Sequence, residues 1–287
     1  MTRKKIVLVG FLLLFIPMVA QAETTSIVSP AISDIVAAPA QTEGSQSNLL
    51  ALRVMTFNVH SAINWYGKFD VEGLAQFIKE ADPDIVGLQE VDLGWSGATN
   101  FEDIPAELGE RLHMFYAFSA SRERNNGFFG NLILSKYPIV QQWTKVMPGR
   151  LEPRSFNFVQ LFIEGRRINF LTTHLGLSVS DRLKQAASII DFMNLVSGPL
   201  IITGDFNGGD HDPAVAEIKK NLADLQSMSE FKESGTFRSK DGRIYPTLKM
   251  DYILATPEFN LSSLKVVDDT YTSDHVPLIA NLTLNLE

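Results

Sequence analysis

The chain has 287 residues, 45% of them hydrophobic and 20% charged, a balance that fits a globular protein and excludes disordered, collagen-like and repeat-dominated chains. It contains no cysteine, so disulfides, thiolate metal sites, thiol nucleophiles and lipidation at cysteine are excluded together. With 25 lysines and arginines against 33 aspartates and glutamates, the formal charge is -8, without the basic excess that drives avid, sequence-independent nucleic-acid binding.

Arg3, Lys4 and Lys5 precede an apolar stretch at residues 6–20, and Ala20-Gln21-Ala22 has the small-x-small form of a signal-peptidase site. Residues 1–22 are expected to be a secretory signal cleaved after Ala22. An uncleaved N-terminal anchor is the alternative, since the apolar stretch is only a little short of the roughly 20 residues that span a bilayer. The polar exit Gln21-Ala22-Glu23-Thr24 has no basic stop-transfer flank, which favours cleavage. Losing the three cationic residues leaves 22 against 33 acidic ones, or -11. The expected protein is exported, periplasmic or secreted, with no transmembrane domain after cleavage, and a body of this size buries enough core without disulfides. Residues 23–48, rich in Ser, Thr, Ala, Pro and Gln, read as a flexible leader, and residues 49–287 as a single domain.

Within that domain, residues 52–59 read as a buried strand that delivers Asn58 at its end. Asp70 is placed to cap a helix with Val71, Leu74, Ala75 and Ile78 on one face, ended by Asp82-Pro83. A strand at 84–88 follows, with Gln89 and Glu90 where it emerges. Further strands are predicted at 132–134, 156–163, 168–173 and 200–203. The strongest helix pattern spans 181–195, with Leu183, Ala186, Ala187, Ile190 and Met193 at helical spacing, and strands at 251–254 and 277–284 close the series. Many strands with fewer helices predict an α/β (α+β) fold of β-sheets covered by helices.

Five segments share one format, an apolar strand followed at once by an amide, carboxylate or imidazole. They are Thr56-Phe57-Asn58-Val59-His60, Gly87-Leu88-Gln89-Glu90-Val91, Thr172-Thr173-His174-Leu175-Gly176, Gly204-Asp205-Phe206-Asn207 and Ser273-Asp274-His275-Val276-Pro277. Met250-Asp251-Tyr252-Ile253 adds a carboxylate at a strand start. Burying such groups is costly unless they pair or bind a cation, and oxygen donors with two histidines suit a hard ion, Mg²⁺ or Mn²⁺.

The ordered set T-F-N, Q-E, T-H-L, G-D-F-N, D-Y-I and S-D-H resembles the endonuclease/exonuclease/phosphatase superfamily of metal-dependent phosphohydrolases, over residues 52–284. The resemblance implies a four-layered sandwich, two mixed β-sheets packed face to face with helices outside. It implies Glu90 as the principal metal carboxylate, with Asn58 and Asp274 close to the ion, and Asp205 and Asn207 positioning the attacking water or the phosphate. Asp205 is a further metal candidate. His275 resembles the general base, oriented by Asp251, and His174 a donor to a non-bridging phosphoryl oxygen. The implied reaction is in-line attack of water on phosphorus. Phe128 and Phe129 stand where abasic-site endonucleases carry a phosphate-contacting tyrosine, and the glutamate that partners the first histidine in pancreatic-type deoxyribonucleases is missing. Both departures count against those two subfamilies.

Each residue also has a plainer reading. His174 fits a backbone-bonded core histidine, Asp274 and Asp205 fit turn residues, and Asn58 fits a local backbone partner. It is their occurrence as a set that favours a site. Arg122, Arg124, Asn131 and Arg154 are candidates for holding a second phosphate or a head group, against the alternative of solvated loops. His60, His113 and His211 lack such support. The expected activity is phosphodiester hydrolysis; the expected partner is a phosphate ester, whether a lipid head group, a small phosphodiester or a nucleic acid, and no stable protein partner is implied. Two alternatives are a secreted nuclease and a non-catalytic binding module, the latter expected to have lost at least one of Glu90, Asp205, Asn207, Asp274 and His275.

Overall fold

The computed structural model describes residues 26–28, 49–268 and 271–285. In chain order the elements are β1 (Ser26–Val28), β2 (Leu49–Asn58), α1 (Val71–Ala81), β3 (Ile85–Leu93), α2 (Ile104–Leu112), β4 (Phe115–Arg124), β5 (Gly127–Ser135), β6 (Ile139–Met147) and β7 (Arg154–Ile163). There follow β8 (Arg166–His174), α3 (Val179–Met193), β9 (Leu200–Asp205), α4 (Pro213–Lys219), β10 (Ala223–Asp224), β11 (Asp251–Ala255), β12 (Phe259–Val266) and β13 (Leu278–Asn285). A seven-stranded sheet has the order β1-β4-β5-β3-β2-β13-β12 and a six-stranded sheet the order β10-β11-β9-β8-β7-β6. Each is mixed: β2 and β3 run parallel in the first, β8 and β9 in the second, among antiparallel neighbours. The sheets pack face to face, with α1 and α2 covering the outer face of the first and α3 and α4 that of the second. The four-layered sandwich expected from the sequence is the fold.

Period-two alternation sorts each strand between layers. In β2, Leu50, Leu52 and Val54 enter the core between the sheets, whereas Met55 and Phe57, with Val59 just beyond the strand, pack under α1 and α2. On the inward face, Thr56 and Asn58 continue the register of Leu50, Leu52 and Val54. The same succession runs along β8, from Ile168 and Phe170 to Thr172 and His174, and along β9, from Ile201 to Thr203 and Asp205. The seam between the sheets is therefore aliphatic through most of its length and polar at one end. There Gln89 Nε2 crosses it, donating to Thr172 Oγ1 at 2.9 Å and to Thr56 Oγ1 at 3.3 Å. Gly87 permits this close approach, since a Cβ at that position would lie 2.2 Å from Thr203 Oγ1.

The predicted helix at 71–81 is present, capped by Asp70, which accepts from Gly73 N, and ended by Asp82 in the left-handed region. Helix α3 begins two residues before its predicted start, capped by Ser178, and its buried stripe is rotated from the predicted one. Arg182, Gln185, Ala186 and Ile189 face inward while Leu183 is exposed. Polar anchoring displaces the apolar pattern: Arg182 binds Asp212, and Gln185 Oε1 accepts from Gly176 N. Strands β4, β6 and β12 and helix α4 were not predicted as elements. Residues 26–28, within the expected leader, form an edge strand paired with β4, Ser26 opposite Ser119. The signal at 1–22 and the rest of the leader lie outside the described residues. Among the described residues, no helix is long and apolar enough to cross a membrane.

Candidate active site

The polar end of the seam gathers the strand-end residues. Asn58 closes β2, and its amide nitrogen donates to Glu90 Oε1 at 2.9 Å and to Asp205 Oδ2 at 3.0 Å, while Oδ1 accepts from His60 N at 3.1 Å. Glu90 reaches this point because β3 breaks its alternation. The β3–β5 ladder shifts register between Leu88 and Val91, and Glu90 has φ 57°, a bulge that turns its carboxylate into the seam. Asp205 ends β9, and its Oδ1 accepts from Asn207 N at 2.8 Å, holding Asn207 in a left-handed turn with φ 49°. The Asn207 amide lies 2.8 Å from His174 Nε2 and donates to Leu175 O at 2.9 Å.

His275 faces this group from the far side. Its Nδ1 donates to Asp251 Oδ2 at 2.8 Å, which leaves Nε2 pointing at Asp205 Oδ2, 3.6 Å away. Asp251 is held opposite Asp205 in the β9–β11 ladder, with Thr236 Oγ1 accepting from its backbone N–H at 3.0 Å. The edge of Phe237 rests against the His275 ring, centroids 4.9 Å apart. Ser273 Oγ donates to Asn58 O at 2.8 Å and so ties the S-D-H segment to β2. His174 Nε2 completes the cluster, 3.3 Å from Asp205 Oδ2.

Desolvation dominates the electrostatics. Burial raises the Glu90 carboxyl above its usual range, against the opposing Asn58 hydrogen bond and the charge of His275. It pushes Asp205 up to about 6, again against His275. Burial pulls His174 well below the ordinary imidazole value, and the positive charges of Arg154 and His275 add to that, so its ring is neutral. Burial also pulls on His275, but the Asp251 and Asp205 charges outweigh it and bring this histidine to about 10.

The donor set fits a divalent ion. One ligand atom each from Glu90, His174 and Asp205 lie within 4.8 Å of one another, and the same holds for Asp205, Asp251 and His275. All are oxygens or imidazole nitrogens, and Asp251 Oδ1 is buried with no hydrogen-bond partner among the described residues. Asp274 belongs to neither group; its part-exposed carboxylate accepts from Ser273 Oγ at 3.2 Å, lies 3.9 Å from His60 Nδ1 and adds to the negative charge felt by His275.

The candidate substrate residues separate into two kinds. Arg154 is buried, with Nη1 3.5 Å from His174 Nδ1 and Nη2 bonded to Glu152. Glu152 also binds Arg122 Nη1 at 2.8 Å. Arg122 lies over Phe129 and Trp95, and Arg124 stacks on Trp95 with 4.5 Å to the ring centroid. The three arginines thus form one strip leading away from His174. Asn131 is inside the sandwich instead, donating to Ser155 O at 2.8 Å. Glu152 carried no expected role in the sequence; the only signal was its place in Glu152-Pro153-Arg154.

A two-sheet sandwich whose seam ends in buried carboxylates, imidazoles and amides is a phosphoesterase- and nuclease-type scaffold. The chain belongs to the endonuclease/exonuclease/phosphatase family, whose sequence model matches residues 55–275. A search of curated proteins gave no match. Among solved structures, an endonuclease/exonuclease/phosphatase from Beutenbergia cavernae DSM 12333 is similar at 24% identity, TM-score 0.69, over 82% of this chain and 72% of that one. The mannosyl-6-phosphatase of Bacteroides thetaiotaomicron VPI-5482 is similar at 20% identity, TM-score 0.66, over 80% and 99% of the two chains. D. rerio TDP2 in complex with a single-strand DNA product is similar at 16% identity, TM-score 0.64, over 81% and 98%.

Proposed function

We propose that this chain is an exported phosphoesterase dependent on Mg²⁺ or Mn²⁺, acting on phosphodiesters by in-line attack of water, with residues 49–287 as its catalytic domain. One observation carries the reading: Glu90, Asp205, His174 and His275, from a strand bulge, two strand ends and a loop, converge on one point with Asn58 and Asn207 between them. A cation bound there would supply Lewis acidity and offset the charge of the phosphoryl oxygens and the leaving alkoxide. Glu90 and Asp205 would hold it, and Asn58 fixes the spacing of their carboxylates.

Asp251 fixes the tautomer of His275, so Nε2 is the atom available to take a proton from water. In the cluster without a cation, Asp251 and Asp205 keep that ring protonated. Charge compensation at Asp205 would weaken this hold and favour release of the proton on Nε2. Neutral His174, in the tautomer that carries its proton on Nε2, would donate to a non-bridging oxygen as charge accumulates there, with the Asn207 amide N–H beside it as a second donor.

A secreted nuclease is the second reading, favoured by Trp95 lying beside both Arg122 and Arg124, a pairing of ring and cation suited to a stacked base and its phosphate. The discriminating experiment is a panel of DNA, RNA, sphingomyelin, phosphatidylinositides and a generic aryl phosphodiester, each with Mg²⁺ or Mn²⁺ and each with chelator. Turnover of at least one diester, abolished by chelator and restored by the ion, is expected. Cleavage of nucleic acid alone selects the second reading, and no metal-dependent turnover of any member rejects the hydrolase.

A further inference from the structure

The Arg122–Glu152–Arg154 bridge lies beside the hydrolytic cluster and touches it. Arg154 opens β7 at 4% exposure, and its Nη1 meets His174. A single carboxylate serves two guanidiniums, Glu152 Oε1 facing Arg154 Nη2 and Oε2 facing Arg122 Nη1. The donors outnumber the acceptors. Arg154 Nε and Arg122 Nε are both buried with no hydrogen-bond partner among the described residues.

The two sides of the bridge are held differently. Arg122 is held by Phe129, 4.3 Å from its guanidinium carbon, and by Trp95, 5.3 Å away, in addition to the carboxylate. Glu152 projects from the turn between β6 and β7 with its side chain 22% exposed. That turn is anchored to α3 through Arg150 N, which donates to Asp181 Oδ2 at 3.0 Å. Rotation of the part-exposed Glu152 side chain would open the pair of arginines while the anchored turn stays in place.

We propose that this bridge is a subsite for a second phosphate group of the substrate, with the Glu152 carboxylate holding its place until substrate enters. The proposal rests on the hydrolase reading and names part of the substrate. An oxyanion held between two guanidiniums, one nitrogen from each, is the geometry Glu152 already displays, and phosphate brings more oxygens than carboxylate to the unpartnered Nε–H groups. Exchanging one anion for another keeps the desolvated Arg154 neutralised throughout, whereas simple loss of Glu152 would not. The Arg154–His174 contact places the subsite against the hydrolytic cluster, so one small molecule spans both.

The test compares two 4-nitrophenyl phosphodiesters with the same alkyl group, one carrying an additional phosphate on that group, in the presence of Mg²⁺ or Mn²⁺. Wild-type KM is expected to be about tenfold lower for the compound with the second phosphate. Arg122→Gln should reduce that preference to about twofold or less, and Glu152→Gln should widen it roughly threefold or more. Equal KM values in the wild type, or a preference that survives Arg122→Gln, overturn the subsite while leaving the hydrolase reading intact. Failure of both compounds to react counts against the hydrolase reading alone. The subsite is then decided by calorimetric titration of metal-free protein with inorganic phosphate: tighter binding by Glu152→Gln and weaker binding by Arg122→Gln support it, and identical affinities overturn it.

Discussion

His275 donates through Nδ1 to a buried aspartate and presents Nε2 to the cluster, so its ring has one orientation and one role. Replacing it with alanine should lower kcat by about 10²- to 10⁴-fold, the usual contribution of a positioned acid or base. Circular dichroism should show an unchanged fold, and wild-type turnover by His275→Ala would contradict the base assignment. Asp251→Asn tests the orienting contact separately: the ring loses the partner that fixes its tautomer, and the pH–rate profile should shift rather than merely drop. These residues were legible in the sequence because each lies in a short polar motif beside an apolar strand run, and the order of those motifs along the chain is informative. Glu152 was not legible. It derives its significance from Arg122 on β4 and Arg154 on β7, which belong to different sheets, and no local pattern encodes that meeting.

Among the elements, the seam between the sheets depends on side-chain size at its polar end. A Cβ at Gly87 would lie 2.2 Å from Thr203 Oγ1 and 2.7 Å from Thr172 Oγ1, so Gly87→Ala forces the two sheets apart where Gln89 bridges them. The expected cost is about 1–3 kcal/mol by overpacking, measured by denaturant unfolding. Adding Thr203→Ala should recover part of it, and strict additivity of the two substitutions would show that the clash is relieved elsewhere. The strands that were legible, such as β9 and the second half of β2, are buried on both faces and rich in apolar residues. Strand β6 is an edge strand with most of its side chains solvated, so Gln141, Gln142 and Lys145 interrupt any apolar run. Strand β4 ends in Ser121, Arg122, Glu123 and Arg124, the segment that carries the arginine strip, and its composition reads as a loop. Helix α3 shows the complementary error, an apolar spacing overruled by Arg182 and Gln185, which anchor the loops around the site.

For the whole molecule, the acidic balance concentrates a cost at the site, and that cost depends on pH. Asp205 is raised to about 6 from an ordinary 3.8, so the folded state binds its proton more tightly than the unfolded chain, and the associated stability is lost as pH rises through about 6. His275 is raised to about 10 from 6.5; its contribution is full below 6.5 and disappears as pH rises towards 10. Both contributions have the same sign; His174, held well below 6.5, works in the opposite sense below that pH, so the metal-free protein should lose stability chiefly as pH rises from 6.5 towards 10. A divalent ion held by the ionised carboxylates of Glu90 and Asp205 would compete with their protons, so its stabilising effect should grow as those carboxylates ionise. Thermal denaturation with and without about 5 mM Mg²⁺ or Mn²⁺ measures this, with a rise in Tm of several degrees expected near pH 8 and little change near pH 5. An equal rise at both pH values would place the ion on groups other than Glu90 and Asp205, and no rise at either would remove the cation from the cluster altogether.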